Sequence, residues 1–191
     1  MNRTIKIILG LAAGITVLCL IVSVAGLFLF RSAGKALTGT LQTDAATTAE
    51  IASQIADYEL PARYESAATV HLAGYNLVGY TGADEHSHIY LAQADSSTGL
   101  TMEEIQRHIR QTSDAEEDQM VDVKIVDTVQ STIRGQDVNL VISEGLNHDG
   151  DVFRQASGLF EGRGGPAVVI VSGPTATWNQ ALVDEFIASI R

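Results

Sequence analysis

The chain has 191 residues, 46% hydrophobic and only 18% charged, with a net charge of −11. That length fits one ordinary domain plus extensions. Met1 to Lys35 carries Arg3, Lys6, Arg31 and Lys35 and no acid, whereas the remainder carries 8 basic and 23 acidic residues. So acidic a body repels phosphates, which argues against nucleic-acid binding. The single cysteine, Cys19, excludes a disulfide-stapled domain.

In chain order, the first feature is Ile7 to Phe30, 24 residues without a charge. At about 1.5 Å per residue this run is long enough for a hydrocarbon core of about 30 Å. It is expected to be an uncleaved single-pass transmembrane signal anchor after a short tail, residues 1–6. A cleaved signal peptide fits less well, because the apolar run continues through Gly26 to Phe30 past the small residues Ser23 and Ala25. Leu18 before Cys19 argues against a lipoprotein. Charge flanks favour a cytoplasmic N-terminus by one positive group, which places the acidic domain on the extracytoplasmic side of the cell membrane. Gly10 and Gly14 have a helix-packing spacing that also arises by chance.

Residues 31–50 read as a juxtamembrane stalk, and 51–191 as an acidic α+β domain. Ile51, Ile55 and Tyr58 form a helical stripe that ends before Pro61. The stretches ATVHLAGYNLVGYTG and HSHIYLAQAD read as two strands joined near Gly82 to Glu85. Thr101 and Glu104 form a capping box for a helix with Met102, Ile105 and Ile109 on one face. Four strands follow: VDVKIV, DVNLVIS, DVFRQASGLFE and the continuous apolar run Ala167 to Val171. Asp149-Gly150 signals a hairpin, and Thr177 with Gln180 a capping box for the last helix. The expected fold is a mainly antiparallel twisted sheet flanked by helices.

This order, from ELPARY through the middle helix after DSSTGLT to the final FIASIR, resembles the Mog1/PsbP-like α/β/α sandwich over roughly Asp57 to Arg191. The whole chain is also similar to single-pass bacterial membrane proteins with such a domain. The resemblance implies a non-enzymatic accessory or binding role in the bacterial envelope. It supplies no functional residue, because no motif of the family is matched.

Among individual residues, Asp84, His86 and His88 share one face if extended, about 6.5–7 Å apart in steps of two. Carboxylate and imidazole suit zinc, so this face is the alternative metal- or small-ligand-binding reading. Three ligands without a fourth in view are better read as a solvated turn. Asp149 and Asp151 lack the spacing of a calcium loop, and Asp114 to Asp118 reads as a solvated charged loop. Glu161 to Pro166 is an ordinary glycine-rich turn. Ser143, Ser157 and Ser172 lie in no G-x-S-x-G motif, and His71 and His108 have no evident paired acid. Trp178 reads as a helix anchor. The expectation is therefore a non-enzymatic domain with no catalytic, cofactor or committed metal residue. Its expected partners are the lipid bilayer, through Ile7 to Phe30, and a protein partner or a second copy.

Overall fold

The computed structural model describes residues 41–42, 44–72, 74–99, 101, 123–146 and 151–191. Its elements are β1 (Leu41–Gln42), α1 (Ala45–Ile55), β2 (Tyr64–Leu72), β3 (Tyr75–Gly82), β4 (His88–Ala94), β5 (Lys124–Ile133), β6 (Gln136–Leu146), β7 (Val152–Glu161), β8 (Pro166–Pro174) and α2 (Gln180–Ser189). The strands form one antiparallel sheet in the order β1-β2-β3-β4-β8-β7-β6-β5. The fold is α+β, with seven long strands and two helices among the described residues.

Cross-strand register fixes which face each residue serves. Tyr80 pairs with Ile89, Ile89 with Val171, Val171 with Ala156, and Ala156 with Ile142. This row, and the parallel one through Val78, Leu91 and Val169, make the face on which both helices lie. Ile51 and Ile55 of α1 join Val183, Phe186, Ile187 and Ile190, at the end of α2, in the same buried cluster. Tyr58 sits between Tyr80 and Phe186, edge-on to both, and its hydroxyl lies 2.6 Å from that of Tyr80. Burial, joined by that hydrogen bond, pushes the Tyr58 phenol well above its ordinary range. On the opposite face Val141, Val168 and Ile170 form a smaller buried cluster with Tyr90, Ala92 and Leu159.

Each helix starts at a side-chain cap. Asp44 accepts from the Thr47 amide at 2.8 Å, and Asn179 accepts from the Leu182 amide at 3.2 Å. The last helix is thus capped two residues beyond the expected Thr177, because a 3₁₀ turn occupies Thr175–Thr177. The expected strand pair joined near Gly82 to Glu85 is present as β3 and β4, with one strand more before it. Gly74, with φ 83°, turns the chain between β2 and β3, so the long first stretch folds back on itself.

Two further expectations are corrected. The Mog1/PsbP-like sandwich needs helices on both faces, whereas both described helices share one face. The transmembrane span Ile7 to Phe30 lies outside the described residues, as does the helix expected after Thr101. Among the described residues no helix is long and apolar enough to cross a membrane. Helices α1 and α2 have 11 and 10 residues, roughly 16 Å, about half a hydrocarbon core. The single-pass anchor, the contact with the bilayer and the cell-membrane placement thus find no support among the described residues.

Candidate functional site

The Asp84-His86-His88 face is a turn. One Asp84 carboxylate oxygen accepts the amides of His86 and Ser87, at 3.2 and 2.8 Å, and the other accepts the Ser87 hydroxyl at 2.6 Å. Burial works to raise the Asp84 pKa, but these hydrogen bonds and the charge of Arg63 hold it below the ordinary carboxylate range. Its lone pairs are thus engaged in shaping the loop, with Glu85 at φ 59°. His86 is exposed, whereas His88 is half-buried and stacked on Tyr90. No cluster of three metal-ligating side chains exists among the described residues, so the metal alternative is corrected.

Two of the serines and one histidine fall in an unexpected place. Register puts Ser143, Gln155, Ser172, His88 and Thr81 in one row across β6, β7, β8, β4 and β3, on the face away from the helices. His88 Nδ1 lies 3.5 Å from Thr81 Oγ1. Burial lowers the His88 pKa, with the charge of Asp84 opposing it. No spacing in the sequence announces this row, because only strand pairing creates it. His71 instead meets Asn76 Oδ1 at 2.5 Å, and Trp178 donates to Gln180 while packing on the main core. His108, Asp149 and Asp114 to Asp118 lie outside the described residues, and Asp151 is exposed. The glycine-rich turn wraps the buried Gln93, whose Oε1 accepts from the Gly164 amide at 3.0 Å.

The surface with the plainest unused chemistry is β5. It ends the sheet, pairing only with β6 among the described residues. Eight of its ten residues are exposed, including Ile125, Val126 and Val129 at 38–49%. Its hydrogen-bonding direction follows from the hairpin. Ile133 and Gln136 close a two-residue turn, Arg134-Gly135, with φ 52° and 74°, the positive pair that a type I′ turn requires. The closing pair exchanges hydrogen bonds, so Ile133, Ser131 and Val129 face β6 and Thr132, Gln130 and Thr128 face outward. An independent contact agrees: the Thr128 amide donates to Asp127 Oδ1 at 2.7 Å rather than to β6. Asp127 thereby covers one outward donor, while a register shift between Ile125 and Asp127 bends the strand's start.

At the far end of β5 the chain gathers arginines. The Arg134 amide donates to the Ile190 carbonyl, and Asp57 and Arg191 exchange backbone hydrogen bonds of 2.9 and 2.7 Å. Arg163 pairs with Asp57, and Arg191 with Glu59. The Arg163 hydrogen bond, aided by the charges of Arg163, Arg191 and Arg134 against slight burial, holds the Asp57 carboxyl low. An open groove of about 520 Å³ lies here, lined by Thr132, Arg134, Gly135, Ala188, Ile190 and Arg191.

Comparison with protein-family models and with curated proteins found no match for the chain. The Mog1/PsbP-like resemblance, and the envelope role it implied, therefore have no support.

Proposed function

We propose that this is a non-catalytic docking domain that adds an extended polypeptide segment to the outer edge of β5. The observation that carries the reading is the row of outward backbone groups at Thr128, Gln130 and Thr132, beside exposed Val126 and Val129. Main-chain hydrogen bonds supply affinity in strand addition, and side chains alternating along the edge supply preference. A second copy of this chain is a poor occupant, because two bodies of charge −11 repel, so the expectation of self-association is not retained. A segment of β-branched residues with a basic side chain opposite Asp127 fits better. Lifting Asp127 from the Thr128 amide completes the ladder.

The test uses a short acetylated peptide alternating threonine and valine, with one lysine, titrated into the full chain and followed by amide NMR. Shifts and new protection should concentrate on Lys124–Ile133. Gln130→Pro removes one outward donor without touching the β6 ladder, and should abolish binding while the fold persists. Shifts elsewhere, or unchanged binding by this variant, contradict the reading.

A further inference from the structure

Beyond the edge itself, we propose that the groove between Arg134 and Arg191 receives the terminal carboxylate of the added strand, which therefore runs parallel to β5. This inference rests on the strand-docking reading and specifies its polarity. Thr132, the last outward-facing residue of β5, also lines the groove. A segment leaving the edge at that point enters it directly. Only a strand parallel to β5 brings its carboxyl end there.

The groove has the chemistry for an anion in a chain that is otherwise acidic. Arg134 is held in place: its Nη1 donates to the Glu161 carbonyl at 2.7 Å, while its Nε is buried without a hydrogen-bond partner. The guanidinium is thus preorganised beside the groove that Arg134 lines. The pairing of Arg191 with Glu59 at 3.0 Å joins two side chains that are both about two-thirds exposed or more, so it yields readily to a better acceptor. The position of Arg134 adds a further pointer. Its φ of 52° lies where glycine or asparagine is the usual occupant of a type I′ turn. An arginine kept in a conformation that glycine adopts more easily is consistent with a role for the side chain.

The experiment compares the same threonine–valine peptide with a free carboxyl terminus and as its amide, against the full chain. The free acid should bind about tenfold or more tightly than the amide, the range expected for charge-assisted hydrogen bonds. In Arg134→Gly, which relaxes the turn and so preserves folding, that ratio should fall to within about twofold, and Arg191→Ala should reduce it in part. Equal binding of acid and amide by the unaltered chain overturns the carboxylate site while leaving strand docking intact. A preference for the acid that survives Arg134→Gly also overturns it. Binding of neither peptide removes the docking reading, and this inference with it.

Discussion

Strands β8 and β5 belong to one sheet but live in different environments. Seven of the nine residues of β8 are buried, whereas eight of the ten in β5 are exposed. Between β4 and β7, β8 has both ladders filled and both faces covered. Among the described residues β5 has one ladder filled, and only its end, at Ile133, is fully buried. Burial at about 25 cal/mol per Å² of apolar surface makes β8 and its neighbours the source of stability. The lesson is a division of labour: the sheet's centre holds the fold, and among the described residues its β5 edge is left unpaired.

Substitutions sharpen that contrast. The largest effect is expected at Phe186, fully buried between α2 and the sheet and edge-on to Tyr58. Phe186→Ala should cost about 3–5 kcal/mol in urea unfolding, and a loss below 1 kcal/mol would place the core elsewhere. Gly158 comes next. A Cβ there would lie 2.7 Å from Leu140 Cδ2 and 3.1 Å from Val138 Cγ1, in the packed face beneath the helices. Gly158→Ala should cost about 1–3 kcal/mol by overpacking, measurable as a lower denaturation midpoint with an unchanged slope.

A smaller effect depends on pH. Burial sets the folded pKa of His88 below its unfolded value, so the unfolded chain binds the proton more readily. The contribution is present above pH about 6.5 and is lost as pH falls through the lower folded value. Stability measured at pH 7.5 and pH 5 should therefore fall further in the unaltered chain than in His88→Gln. The smallest effect belongs to the edge: Val126→Thr should change stability by no more than about 0.5 kcal/mol. A cost approaching that of Gly158→Ala would mean that β5 is packed rather than open.

Legibility in the sequence followed the same division. Ala167 to Val171 is readable as a doubly buried strand because every residue is apolar, and the structure makes it the centre of β8. β5 extends well beyond VDVKIV because Asp127 to Thr132 mixes polar and apolar residues, as an exposed edge permits. The Arg134-Gly135 hairpin escapes notice because arginine is not a usual type I′ residue. The Asp84-His86-His88 spacing suggests ligands only if the segment is extended, whereas the Asp84 carboxylate bends it into a turn. The arginine groove joins residues 132–135 to residues 188–191, a proximity created by α2 packing back toward the hairpin.

The openness of β5 is tested most directly by amide hydrogen exchange on the free full chain, resolved residue by residue. Val129, Ser131 and Ile133, bonded to β6, should be protected. Gln130 and Thr132 should exchange far faster, with Thr128 between them because of Asp127. Uniform protection along Thr128–Ile133 would show that the outer edge is already paired, and would contradict its role as a docking strand.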